Sequence, residues 1–201
     1  MDLNTLILFA LTELAMAMSP GPAVLLAMSF GSHHGLRGAV MGGAGIELGN
    51  ATWFVFSAAG LTTVLLASST AFSIIKWAGA AYLVYLGLKL LFSRGSVPTA
   101  ADKPVPQGAL VLQGFITQMG NPKAMIFFGA LLPQFIDPNA PYGLQFLVLG
   151  VMTFIIDYSA LLFYGWVANR GAKLASGPKL LRWFDRVAGT FLLGAGVRLA
   201  V

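Results

Sequence analysis

Four ionisable side chains stand where the surrounding sequence is otherwise apolar: Glu13, Glu47, Lys123 and Asp157. An ionised group at the centre of a bilayer costs about 2.5 to 3.5 kcal/mol even on the mildest scale, so each needs a partner or a wet cavity. Lys123 sits in the run Asn121-Pro122-Lys123-Ala124, which sets a helix breaker and a full positive charge near the middle of an apolar segment, Gly108 to Leu132. At about 24 residues that segment is near the length needed to cross a bilayer. Asparagine is a good N-cap and proline is favoured at the first helical position, so one half-helix should end near Gly120 and another begin at Pro122. The break frees backbone N–H groups that carry the positive end of the second half-helix's dipole, and Lys123 adds its charge there. The plain alternative is a proline kink with a lysine snorkelling to the headgroups, which suits helix ends better than mid-span.

The same grammar occurs near the N-terminus in Ser19-Pro20-Gly21-Pro22, where serine can cap and proline can open a second half-helix. If the two broken spans cross near mid-membrane, the starts at Pro20 to Ala23 and Pro122 to Ala124 both present bare N–H groups, which suit a small carboxylate. Glu47 and Asp157 could then receive an ammonium group or carry protons, and desolvation is what fits a carboxyl group to carry protons near neutral pH. The opposite outcome is a silent structural salt bridge between Lys123 and one acid. Asn50 lies one turn beyond Glu47 on the same face, and Thr117 and Gln118 precede the second break. Glu13 falls about 1.5 turns outward of the first break, on an outward proton path or at an interface. The expected substrate groups are therefore Ser19, Pro20, Gly21, Pro22, Asn50, Asn121, Pro122 and Lys123, and the expected proton groups Glu13, Glu47 and Asp157. His33 and His34, beside Gly35 and Arg37, read as a solvated turn before a two-histidine metal site.

The elements that must position these residues follow from composition. The chain has 201 residues, 57% hydrophobic and 9% charged with 24 glycines, too apolar for a soluble domain of this size. It reads as an all-α integral membrane protein. The absence of cysteine excludes thiol redox chemistry, disulfide staples and cysteine-ligated metal. A net charge of +5 is spread over short loops instead of forming a basic face, which argues against nucleic acid and for topology signals. Six spans are expected: about Asn4 to Met28, Ala39 to Leu66, Phe72 to Phe92, Gly108 to Leu132, Gly143 to Val167 and Trp183 to Leu199. The first lacks a basic n-region and carries Glu13, so it reads as retained and not as a cleaved signal. The second opens with Gly38, Gly42, Gly45 and Gly49, whose small-xxx-small spacing lets another helix approach closely.

The polar stretch Ser93 to Gln107 divides the chain into a first repeat of about residues 1–93 and a second of about 108–201, joined by a linker over 94–107. Each half begins with a proline-broken span, continues with a span bearing one central acid, and ends with a glycine-rich span entered through Lys76-Trp77-Ala78-Gly79 or Arg186-Val187-Ala188-Gly189. Three is odd, so the copies run in opposite senses: two inverted three-helix repeats, an architecture of secondary transporters. Lysine and arginine gather after spans 1, 3 and 5, at Arg37, then Lys89, Arg94 and Lys103, then Arg170, Lys173, Lys179, Arg182 and Arg186. The other side has Lys76 and Arg198. The odd loops are then cytoplasmic and both termini outside. Trp77, Trp166 and Trp183 read as interface anchors, and Trp53, deeper, either lines a cavity or packs.

Ser19-Pro20-Gly21-Pro22-Ala23, Asn121-Pro122-Lys123-Ala124 followed by Phe127-Phe128, and the run Tyr82-Leu83-Val84-Tyr85-Leu86-Gly87 together resemble the LysE/RhtB family of amino-acid exporters over nearly the whole chain. The resemblance implies a multi-pass protein of the bacterial inner membrane that exports amino acids or close derivatives, driven by the proton gradient, without a cofactor. Its partners would be a small amino acid, protons and the lipid bilayer, with a homodimer left open. Homoserine, threonine, leucine and basic amino-acid exporters share these motifs, which do not separate them. An intramembrane enzyme would have Ser19 and only Lys123 as its base, with no histidine in any span. A metal exporter would use Glu13, Glu47 and Asp157 as oxygen ligands against the repulsion of a central lysine. A passive channel leaves the capped breaks and paired acids unexplained.

Overall fold

The computed structural model describes residues 1–19, 21–60, 105–137 and 139–174, with isolated positions at 70, 77, 81, 84, 85, 87–89, 91, 92, 186, 187, 189, 190, 193, 194 and 197. Pro20, residues 94–104 of the linker, the basic loop over 175–182, the Tyr82-to-Gly87 run as a whole and most of the third and sixth expected spans lie outside the described residues. Helix α1 spans Leu3–Met18, α2 Pro22–Ala58, α3 Gln107–Met119 and α4 Pro122–Ile126. The last continues as a π turn, Phe127–Leu131, and a 3-10 turn, Leu132–Phe135, before α5 runs from Tyr142 to Leu174. Among the described residues there is no strand.

On α1 and α5 the outer faces are apolar and polar groups are buried among the inner apolar ones. Along α5, Leu144, Leu147, Val151 and Ile155 are exposed at three- and four-residue intervals while Gln145, Thr153 and Asn169 are buried. On α1 the exposed set is Leu3, Ile7, Leu8, Leu11 and Leu14, and the buried set Phe9, Glu13 and Ala17. That reverses the amphipathicity of a helix in water and gives the apolar exterior a lipid solvent requires. Tyr142–Ala172 is long and apolar enough to cross a membrane, and α1 with α2, bent by 58° at their junction, passes the same test together. The fold is that of an all-α membrane protein.

Glycine sets how closely the helices meet. A Cβ at Gly45 would strike the Val111 carbonyl on α3, one at Gly114 the Gly42 carbonyl on α2, and one at Gly31 the Gly165 backbone on α5. The glycine row of the second span thus seats α3 backbone to backbone, the close approach expected of small-xxx-small spacing. Gly87 and Gly189 meet in the same way.

Three features depart from expectation. The second half-helix runs from Pro22 well past Met28 and meets the next span at a kink, Gly35, whose φ of 67° glycine adopts without a Cβ clash. His33 and His34 are consequently helical and half-buried, not a solvated turn. Burial, then the charges of His33 and Lys89, hold the His34 imidazole below its usual range. Finally, the stretch after Pro122 keeps α geometry for one turn only and then widens into the π turn, a form that recurs at functional sites.

Candidate functional site

Asn121 is the N-cap of α4: its side-chain oxygen accepts from the Lys123 backbone N–H at 3.0 Å, and Pro122 follows at the first helical position. This cap fixes more than a helix start. With Asn121 Oδ1 committed as an acceptor, its Nδ2 must point away, and it donates to Gln118 Oε1 at 2.9 Å. Gln118 Nε2 then donates to Asn50 Oδ1. Asn50 Nδ2 in turn donates to Asp157 Oδ2 at 2.7 Å and, at 3.4 Å, to each carboxyl oxygen of Glu47. Each amide has one acceptor end and one donor end, so the cap dictates the direction of the whole relay. The Asn50 amide thereby bridges the Glu47 and Asp157 carboxyl groups. All three amides are buried, and Trp53, fully buried, supports them by donating to the Gln118 carbonyl at 3.2 Å; it packs behind the relay and does not line the cavity.

The first break is built differently. Ser19 is the C-cap of α1, and the N-cap of α2 is Gly21, extended and without a side-chain cap. The expectation that serine caps the second half-helix is therefore corrected: Ser19 lies three residues ahead of Pro22, which takes the first helical position. The carbonyls at the end of α1 are taken by distant side chains. Lys123 Nζ donates to Met16 O at 2.6 Å and to Ser19 O at 3.0 Å, and the Tyr164 hydroxyl donates to Met18 O at 2.8 Å. Lys123 thus meets the negative end of the α1 dipole, and the partners of its ammonium are backbone carbonyls, neither of them a carboxylate. A Cβ on Gly21 would lie 3.9 Å from Nζ, so both breaks converge on this ammonium.

Between the breaks lies a cavity of about 30 Å³, room for roughly two or three waters and far short of a whole ligand pocket. Its polar lining is Glu13 from α1, Asn50 from α2, Gln118 from α3, Lys123 from α4, and Thr153 and Asp157 from α5. Its apolar lining includes Met16, Ala17, Phe127 and Phe128. Two apolar layers bracket it, in the order the helices dictate. On one side Phe9, Trp53, Phe127, Phe128, Phe146 and Leu149 form an aromatic cluster, and on the other Ala23, Val24, Ala27, Ile46 and Leu161 form a smaller aliphatic one.

Of the residues expected at a site, Glu13, Asn50, Lys123 and Asp157 meet at the cavity, Glu47 and Asn121 stand one hydrogen bond behind it, and Ser19 contributes only its carbonyl and is otherwise exposed. Pro22 and Pro122 set helix starts. Thr117 stays away, donating to its own helix at Gln113 O, 2.8 Å. Thr153 was not foreseen. It sits one turn before Asp157 on the same face of α5, a spacing that would have brought it to notice once Asp157 was placed. No three His, Asp or Glu side chains among the described residues are grouped to hold a metal ion.

The LysE type translocator family profile matches residues 14–201. The homoserine/homoserine lactone efflux protein of Salmonella typhimurium is 34% identical over 193 residues, 96% of this chain and 94% of that protein. An uncharacterized membrane protein of Vibrio cholerae is 31% identical over 201 residues, 100% and 98% of the two chains. The leucine efflux protein of Salmonella typhimurium is 30% identical over 190 residues, covering 90% and 87%. No solved structure matches significantly.

Proposed function

The chain belongs to the LysE type translocator family, and on that premise we propose that it exports a small amino acid or a close derivative across the bacterial inner membrane in exchange for protons. The observation that carries this reading is the convergence of Glu13, Asn50, Gln118, Lys123 and Asp157, drawn from five helices, on one small cavity between two helix breaks. In this reading the Lys123 ammonium, the two half-helix starts and Asn50 receive the substrate head group, with Ser19, Pro20, Gly21, Pro22, Asn121 and Pro122 shaping the breaks. Glu47 and Asp157, bridged by the Asn50 amide, are the pair that binds and releases the proton, with Glu13 on its path. Homoserine and its lactone, both in the name of one relative, differ at the carboxyl group and share the α-amino group. A substrate of this kind would lean on the acids at least as much as on Lys123.

Six spans arranged as two inverted repeats fit the two proline-opened breaks, the acid-bearing α2 and α5, and the close contact of Gly87 with Gly189 from the third span of each half. The apolar layers on either side of the cavity are then the two gates. Both termini would face the periplasm, and a cysteine placed between Asn169 and Arg182 should resist impermeant thiol reagents in intact cells; labelling there reverses the orientation. A homodimer would leave the cavity complete within each protomer.

Proteoliposomes with an imposed pH gradient test the function. Saturable, uncoupler-sensitive flux of a radiolabelled amino acid is expected, and flux that ignores the gradient would mark a channel. Asp157→Asn keeps shape and loses the titratable proton, so gradient-driven flux should fall at least tenfold while substrate exchange is largely retained. Equal loss of both would make Asp157 a binding residue. A metal exporter would have to pass a divalent cation beside the Lys123 ammonium, a higher electrostatic barrier than the single charge of an amino group meets there.

A further inference from the structure

The relay satisfies Asn50, Gln118 and Asn121 but leaves two polar atoms of the cavity wall without a partner, Glu13 Oε2 and Thr153 Oγ1. Both residues are almost fully buried, Glu13 at 4% and Thr153 at 1% exposure. Buried carboxyl and hydroxyl oxygens are nearly always hydrogen-bonded, and leaving one unmade costs about 1–3 kcal/mol, so these two call for an occupant. An occupant that donates to both would satisfy them, must fit a space of roughly two or three waters, and is most strongly held if it carries positive charge against Glu13. A primary ammonium group meets all three conditions, with its three N–H donors and a bulk close to that of a water molecule.

We infer that Glu13 and Thr153 form a primary-ammonium subsite in the cavity, in which an ammonium group and the proton of Glu13 exclude one another. The inference deepens the exporter reading and rests on it: the ammonium is the substrate's amino group. When it arrives, the Glu13 proton leaves toward bulk water, the carboxylate so formed accepts an N–H, and Thr153 Oγ accepts a second. When it departs, a proton returns. A carboxyl group that holds either passenger but not both adds an exchange step on the proton path of the Glu47 and Asp157 pair, because neither passenger can be carried together with the other. The charged groups facing this subsite are Lys123 from α4, Asp157 from α5 and, behind Asn50, Glu47 from α2, while α3 contributes the neutral Gln118. Lys123 is held toward Met16 O and Ser19 O, so its ammonium is already engaged at the far end of α1 from Phe9.

The test uses n-propylamine, which has the ammonium and no carboxylate, and titrates it calorimetrically into the purified full-length protein in two buffers of different ionisation enthalpy. Wild type should bind the amine and release close to one proton. Thr153→Val, nearly isosteric, should weaken binding about tenfold, as expected for one hydrogen bond to a charged group, and Thr153→Ser should restore it to within about threefold. Glu13→Gln should abolish the proton release. Absence of amine binding to wild type overturns the inference, as does a Thr153→Val protein that binds as wild type does, or binding without proton release. Failure of the exporter reading looks different: propylamine binds with proton release, yet proteoliposomes carry no amino acid.

Discussion

The two helix breaks share a polar residue followed by proline in sequence and use different means in space. At the second, Asn121 caps its own helix, Pro122 follows, and the cap's remaining N–H sets the direction of a buried amide relay reaching Glu47 and Asp157. At the first, no local side chain caps anything, and the end of α1 is held by Lys123 and Tyr164 from elsewhere in the chain. A break closed by its own residue stays closed whatever its neighbours do. One held by remote donors opens when those donors find another acceptor, and in the proposed export cycle a substrate carboxylate would be such an acceptor for Lys123. On that proposal the first break is the part of the site whose geometry the substrate would change.

The largest test of this contrast is Lys123→Ala. It removes the charge and two donors from the end of α1, and flux should fall at least a hundredfold with the protein still inserted, as surface labelling would check. Unchanged transport would remove Lys123 from the site. Next comes a paired substitution at equivalent places in the two motifs. Asn121→Ala loses a cap and leaves Gln118 short of a donor, so it should destabilise by about 2–4 kcal/mol, whereas Ser19→Ala, whose hydroxyl is exposed and whose carbonyl is kept, should stay within about 0.5 kcal/mol. Thermal unfolding in the same detergent compares them, and similar losses would erase the distinction between the breaks. Smallest is Tyr164→Phe, which removes one of the borrowed bonds at about 1 kcal/mol. It should raise proteolytic access near Ser19 and leave the Asn121 side untouched.

Local rules in the sequence were enough to read the second break, since an N-cap and a proline need no information beyond their neighbours. The glycine row of α2 was equally readable, because spacing alone brings Gly42 and Gly45 to one face. The departure at Ser19 at the first break has a reason of the same kind: with Pro22 opening α2 the N-cap falls on Gly21, two residues beyond the serine. What no local rule supplies is the choice between two threonines. Thr117 satisfies its hydroxyl on its own helix and Thr153 does not, and both sit in apolar helical runs. The same holds for Lys123, whose carbonyl partners lie more than a hundred positions away along the chain, and for the π turn that brings Phe127 and Phe128 to the cavity.

Where Gly31 faces Gly165, and Gly45 faces Val111, main chain rests on main chain with nothing between. A single methyl group added at either place would act as a wedge, prising apart helices whose separation sets every distance in the polar centre. The positions least tolerant of replacement in this protein should therefore include some with no side chain at all, and a mutational scan scored by transport alone would mistake them for substrate contacts.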